Sequence, residues 1–512
     1  MADHREHAEL SGEPSETAIA RTLAALGSYG DRLALTVDDP VEPGQTWAYG
    51  ELLAQVYREA RRLTELGVGR GSVVAVLTGD TAETFVLRWA VNTVGAAVTV
   101  WADGFAAPVI AELLETSQAQ LMVTNKARYA LGAAAAQLVA GEVTVVDLDA
   151  SPPPADPSPV ELQSRPGDLT SIALTGGSTG TPKAVPRYGP RIPAPASPPS
   201  SSPWQGAVQL LCTPVAHVGG SLVAQGVFSA GGRVVLQPGF DPARALAAIP
   251  REQVTTISLM PRLLHQLLDH PDLPGTDTSS LRSIVLGSAP ASPARIGEAI
   301  DRFGPIVAQG YGSTEAANIS WISAAELARP ELRGSVGRPG GEVALSIHDD
   351  EGAEVTTGDT GEVWVRTPMM SGYLNAPAAT AALFCDGWLR TGDLGYLDQD
   401  GYLWLVGRGS EVIFAEHARI YPTDVENCLL GHPAVAAAAV FAQHDADRAE
   451  TAAAAVVPHE GSCPEPAELI AWVTERRGPH LAPHTVYLAD DLPLTHSAKV
   501  DREAVRVRFA SG

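Results

Sequence analysis

The stretch Leu174-Thr-Gly-Gly-Ser-Thr-Gly-Thr-Pro-Lys183 gathers three glycines and four hydroxyl residues ahead of a lysine, directly after the apolar Ile172-Ala173. Glycine lets backbone N–H groups approach a phosphate closely, and the lysine puts a cation at the end of the turn. Phosphate binding is the chemistry this favours, and a plain Gly/Ser linker is the other reading the composition allows. It is not a Walker A loop. Pro182 stands where that motif needs glycine, and Ala184 follows the lysine where Ser or Thr would bind Mg2+. His265 and Asp269 have a spacing that invites acyl transfer, but after Pro261 they read as an i,i+4 pair on a helix surface. Cys385 has no cation beside it in sequence to lower its thiol pKa.

The elements that must position these residues follow from periodicity. Short apolar runs alternate with amphipathic stretches from about residue 72: Val73–Leu77, Ala82–Asn92, Ala96–Val100, then Gln120–Val123, Arg233–Leu236, Thr255–Ser258 and Ser283–Leu286. That alternation predicts parallel sheets with crossover helices up to about residue 340. Beyond Gly340 the period becomes two, in Val343–Ile347 and Glu362–Arg366, which predicts a small β-rich, barrel-like subdomain over about 341–406. A last unit, 407–512, combines the apolar run Val435–Phe441 with a helix from Glu465 to Arg477. The expected organisation is therefore an α/β core over 1–406 and a small, mobile α+β lid over 407–512. Proline spacing makes 190–203 an exposed loop.

Composition narrows the partners. Of 512 residues, 35 are Lys or Arg and 59 Asp or Glu, a net charge of −24, so no basic face is offered to nucleic acid or an anionic membrane. Cysteines at 212, 385, 428 and 463 are too sparse for a disulfide framework and lack zinc-knuckle spacing. The N-terminal Met-Ala-Asp-His-Arg-Glu-His has no apolar signal core, and a cytoplasmic protein is expected.

The 174–183 segment resembles the phosphate loop of the adenylate-forming superfamily of acyl-CoA synthetases, peptide-synthetase adenylation domains and luciferases. Further blocks follow in that family's order: Thr213-Pro-Val-Ala-His217, Gln309-Gly-Tyr-Gly-Ser-Thr-Glu315, Gly361-Glu-Val-Trp-Val-Arg366 with Gly372-Tyr373, Gly387-Trp-Leu-Arg-Thr-Gly-Asp393, Gly407-Arg408 and Leu492-Pro-Leu-Thr-His-Ser-Ala-Lys499. The resemblance implies an ATP-dependent ligase that joins an acid to AMP, with Thr175, Gly176, Gly177, Ser178, Thr179, Gly180 and Lys183 around the phosphates. It implies that Thr314 and Glu315 hold phosphates and Mg2+, that Asp393 takes the ribose hydroxyls with Arg408 nearby, and that Lys499 meets the developing charge. Ser288, Ala289, Gln309, Gly310 and Tyr311 would line the adenine slot, and Gly287, Gly312, His217, Val218 and Gly219 the acyl pocket. The His217 ring could orient the acyl group or simply pack in a core; Trp388 and Tyr396 read as packing residues.

Three departures from the family pattern bear on the second half-reaction. Where CoA-using relatives carry a hinge residue, a lysine and a glycine, this chain has Ser410, Phe414 and His417. Bulk at the glycine position obstructs a thin thiol arm. After Lys183 the sequence Tyr188-Gly189-Pro190 breaks a helix that the family commonly starts there, leaving Arg187 and Arg191 on a loop near the phosphates. The acyl block lacks the aspartate that holds an α-ammonium, which disfavours an amino acid substrate. Transfer of an aromatic or medium-chain acyl group to CoA or a carrier-protein thiol is the default expectation. The alternative is a diazotase-like activation of nitrite in secondary metabolism, or amide formation with an amine.

Overall fold

The computed structural model of the chain describes residues 15–39, 43–150, 152–175, 182–189, 192–193, 204–367, 372–415, 418–443, 450–495 and 499–510. Two large sheets carry the first two thirds of the chain. The first runs in the order Thr144–Asp147, Leu121–Thr124, Val73–Leu77, Ala97–Val100, Leu169–Leu174 and Ala184–Tyr188, parallel except for the last pair. The second has nine strands. Its centre is the parallel set Val307–Ser313, Ser283–Leu286, Thr256–Leu259, Val208–Leu211, Arg233–Leu236 and Leu33–Asp38, flanked by antiparallel strands. The expected apolar runs form these strands with ends shifted by a residue or so.

Burial explains why the runs are uninterrupted. Strand Val73–Leu77 is buried at every position, with Val74 and Val76 in one core and Val73, Ala75 and Leu77 in the other. The first of these cores lies between the two sheets and is filled by helices Tyr49–Glu65, Ala82–Thr93 and Val218–Ser229. Within it the Phe228 ring makes T-shaped pairs with Phe85 and Trp89, at centroid distances of 5.4 and 5.1 Å. Such pairs contribute about 0.5–1.5 kcal/mol each beyond area burial. They fix helix Val218–Ser229, whose N-cap residue is His217.

An antiparallel sheet follows, Ala344–His348, Gly361–Arg366, Trp388–Leu397 and Phe384–Cys385, with Leu403–Arg408 paired to Trp388–Leu397. After it, strands Val435–Gln443, Thr451–Pro458 and Thr485–Leu488 share a separate core with helices Pro422–Leu429 and Pro466–Arg477. The helix expected from Glu465 begins one residue later, because Glu465 is its N-cap and Pro466 supplies a pre-set first φ. No helix among the described residues is long and apolar enough to cross a membrane.

Three expectations change. His265 is buried, and Asp269 is taken by Arg295 and by His459 Nδ1 at 3.5 Å, so the two are not a surface pair. Burial, with Arg295 next, holds the His265 imidazole down to about 3, which keeps it neutral. Arg187 lies on strand Ala184–Tyr188 rather than a loop, because the chain returns antiparallel along Leu169–Leu174 before Gly189 ends the strand. Cys385 does have a cation within electrostatic reach, Arg390, whose guanidinium is already held by Glu362 at 2.6 Å. Of the proline-rich segment only Ile192–Pro193 is described, paired with Ser15–Glu16; Arg191 lies outside the described residues.

Candidate active site

The residues expected to act lie where three sheets meet. Strand Val307–Ser313 leaves the nine-stranded sheet through a bulge between Tyr311 and Gly312, and a Cβ on Gly312 would stand 1.8 Å from the Ala317 carbonyl oxygen. Only glycine fits that turn. It delivers Thr314 and Glu315 toward the six-stranded sheet, where Thr314 Oγ1 donates to the Leu174 carbonyl at 3.5 Å. Tyr373, ahead of helix Pro377–Leu383, donates its hydroxyl to Glu315 Oε1 at 2.7 Å, and Leu374 N donates to the Ala184 carbonyl at 2.9 Å. Burial and the Glu315 charge both push the Tyr373 hydroxyl pKa up, so it remains a donor.

The base of the glycine loop is closed by two hydrogen bonds. Thr175 N donates to the Lys183 carbonyl at 3.0 Å, and Lys183 N to Thr175 Oγ1 at 2.9 Å. Lys183 is exposed, with its ammonium 5.3 Å from the Tyr373 ring centroid. Gly176, Gly177, Ser178, Thr179 and Gly180 lie outside the described residues, as does His417. At the adjacent strand ends a Cβ on Gly287 would sit 3.5 Å from the Gly310 carbonyl, so two backbones face one another there. Ser288 takes a left-handed φ of 70°, half-buried Ala289 follows, and buried Gln309 has its Oε1 without a hydrogen-bond partner.

Asp393 is the electrostatic centre. It faces Arg408 across the paired strands Trp388–Leu397 and Leu403–Arg408, with Arg408 Nε 3.0 Å from Oδ1, and Oδ2 accepts the Tyr311 hydroxyl at 2.7 Å. Its backbone N–H is met by Thr391 Oγ1 at 3.0 Å. The carboxylate therefore points across the site and does not cap its own turn. Burial raises its pKa, opposed by Arg408, the Tyr311 hydroxyl and Lys499.

Lys499 comes from the far end of the chain. The residue as a whole is exposed, but crowding by surrounding protein lowers the ammonium pKa, Arg408 adds to this, and Asp393, Glu315 and Glu411 act against it. Just past Arg408, the 3-10 turn Gly409–Glu411 carries exposed Ser410, and Glu411 is held by Arg502 Nε at 3.0 Å. Arg502 belongs to the terminal helix Arg502–Ala510. One side of the turn is thus tied to Asp393 and the other to the C-terminal unit.

His217 starts helix Val218–Ser229, with half-buried Val218 and exposed Gly219 after it. Sequence reasoning did not find Asp80, which accepts the Val215 N–H at 2.7 Å and ties this acyl block to the head of helix Ala82–Thr93. Its position before a helix start was a visible signal; its target far along the chain was not. Trp388 lies under Arg366 at 4.3 Å and Tyr396 stacks on Trp404 at 6.1 Å, both packing roles. Among the described residues no group of three or more His, Cys, Asp or Glu could hold a metal alone. Glu315 is a single hard oxygen donor, which suits Mg2+ when phosphates and water complete the octahedron.

The shifts on Asp393 and Lys499 give a testable pH profile. If both charges are needed, activity falls at low pH above the ordinary aspartate range, because the Asp393 pKa is raised, and falls at high pH below the ordinary lysine value, because that of Lys499 is lowered. A kcat/KM profile for ATP measures both limbs, and Lys499→Arg should move only the alkaline one outward.

Stacked parallel sheets joined to a C-terminal unit, with carboxylate, hydroxyl and cationic side chains gathered at the strand ends, define a ligase of the adenylate-forming class. The chain belongs to the AMP-binding enzyme family: that family's model matches residues 24–374, and the AMP-binding enzyme C-terminal domain matches 424–499. It is 36% identical to a medium/long-chain fatty-acid–CoA ligase of Mycobacterium tuberculosis over 72% of this chain and 66% of that protein. It is 32% identical to a feruloyl-CoA synthase of an Amycolatopsis species over 91% of this chain and 94% of that one. Among solved structures, the amide bond synthetase from Marinactinospora thermotolerans superposes with a TM-score of 0.83 at 34% identity, covering 96% of this chain and 100% of that one.

Proposed function

We propose that the protein activates a carboxylate, aromatic or of medium chain length, as its acyl-adenylate at the expense of ATP. It then passes the acyl group to the thiol of CoA or of a carrier protein. The observation that carries the first half is the convergence of Asp393, Tyr311 and Arg408 with Lys499 and Glu315 at one junction. Asp393 accepts the ribose hydroxyls, and the Gly287–Ala289 and Gln309–Tyr311 strand ends flank adenine, where the unpartnered Gln309 Oε1 can take an amino hydrogen. Thr175, Lys183 and the glycines between them cradle the phosphates. Bound Mg2+ offsets phosphate charge, and Glu315, steadied by Tyr373, is the residue that would hold it with Thr314. A carboxylate oxygen bonds to the α-phosphorus while its bond to the bridging β-oxygen breaks and pyrophosphate leaves. Lys499 stabilises the charge that builds there. His217, Val218, Gly219 and Gly312 border the acyl side.

Rotation about Ser410 between units 1–406 and 407–512 would then withdraw Lys499 and present the acceptor-facing surface, a gating step of the lid kind. The fatty-acid–CoA ligase and the feruloyl-CoA synthase support a thiol acceptor. A specific observation favours a second reading, an amine acceptor. Phe414, at the position of the family's lysine, is 56% exposed on the hairpin Ile413–Ala415 and Ala418–Ile420, and the amide bond synthetase matches over its full length.

Pyrophosphate release with ATP and Mg2+, across aryl and fatty acids, separates these readings. Release with an acid, rising with micromolar CoA and yielding a thioester, is the expected result. Release with an acid that is indifferent to CoA and yields an amide with an added amine selects the second reading. Release that requires nitrite overturns carboxylate activation.

A further inference from the structure

Arg187 is 8% exposed on the edge strand Ala184–Tyr188, in register with Ser171. Its carbonyl accepts from Thr170 Oγ1 at 3.0 Å, which fixes the backbone. The side chain leaves the six-stranded sheet and donates through Nη2 to the Thr314 carbonyl. Thr314 directly follows strand Val307–Ser313 of the nine-stranded sheet, so the guanidinium spans from one sheet to the other at the site itself. Glu315 is the next residue and is electrostatically coupled to Arg187. Burying a guanidinium is unfavourable unless hydrogen bonds and opposite charge offset it, and an apolar side chain would fill an edge-strand position without that penalty. The charge therefore has a use here beyond packing.

We propose that Arg187 is a positioning residue for the nucleotide. It fixes the Thr314–Glu315 peptide so that the Glu315 carboxylate, held from its other end by Tyr373, meets the metal-bearing phosphates. The inference rests on the ATP-dependent reading above. Two effects of the guanidinium oppose each other. Through space its charge weakens the pull of Glu315 on a cation, while its hydrogen bond holds the peptide that aims Glu315. The hydrogen bond acts directly from a buried, charged donor on the peptide itself, so the positional effect is the larger.

The test is calorimetric binding of ATP to the full chain, once with Mg2+ and once with EDTA. In the unmodified protein Mg2+ tightens ATP binding. In Arg187→Met that Mg2+-dependent gain is expected to shrink by about tenfold or more, while ATP in EDTA stays within about threefold of its normal affinity. Arg187→Lys, which keeps a donor and the charge, should restore most of the gain. Arg187→Gln replaces the methionine variant, with the same expected loss, if that variant does not fold. A lowered melting temperature with both constants changed alike would mean strand packing only and overturns the inference, leaving the ATP reading intact. An unmodified protein that binds no ATP overturns both.

Discussion

Lys499→Ala is expected to lose pyrophosphate release by about two to three powers of ten while ATP still binds, the loss that follows removal of one preorganised group from a developing charge. The residue is exposed and contributes little to a core, so its melting temperature should stay near that of the unmodified protein. That separates chemistry from folding. Crowding and Arg408 lower its pKa, so a new negative charge beside the ammonium would relieve an unfavourable surrounding. Pyrophosphate release is the readout; an unchanged rate would remove Lys499 from the first half-reaction and would require another cation at the α-phosphate.

Asp393→Ala should raise KM for ATP by about a hundredfold, because hydrogen bonds to a charged group contribute about 1.5–3 kcal/mol each and the variant removes several at once. The Tyr311 hydroxyl would lose its acceptor at 2.7 Å and Arg408 its partner at 3.0 Å, besides any ribose contact. Arg408 keeps 46% of its side-chain surface in water, so its half of the ion pair alone is worth little. Burial of the carboxylate is what makes the loss large. Tyr311→Phe tests this separately: if the hydroxyl serves only to aim Asp393, KM should rise by about tenfold with kcat nearly unchanged. A KM for ATP that stays normal in Asp393→Ala would place the ribose elsewhere.

Much of the architecture could be read in advance because it depends on local pattern. Val73–Leu77 is apolar at every position, and only a strand covered on both faces needs that; over Glu362–Arg366 the expected period of two fails, because Val363, Trp364 and Val365 are buried in succession. The site blocks were legible for a different reason. Gly312 marks a place where backbone must come close to backbone, a requirement written in residue type. Side-chain partners across the chain were not legible. Asp269 sat four residues from His265, a spacing that suggested a pair, yet the arginine that takes it comes from helix Pro293–Phe303 and buries the histidine beneath.

The sequence by itself marked out the blocks whose described residues the fold gathers at one junction, since glycine, hydroxyl, carboxylate and lysine in such blocks serve few purposes besides chemistry. Only the tertiary structure decided how they are held. Arg187 looked like a loop cation and is a strut between two sheets; Tyr373 looked like the tail of a motif and steadies Glu315. The physical reason is range. Periodicity and backbone strain act over a few residues, whereas the hydrogen bonds that aim a carboxylate join strands brought together only when separate sheets pack.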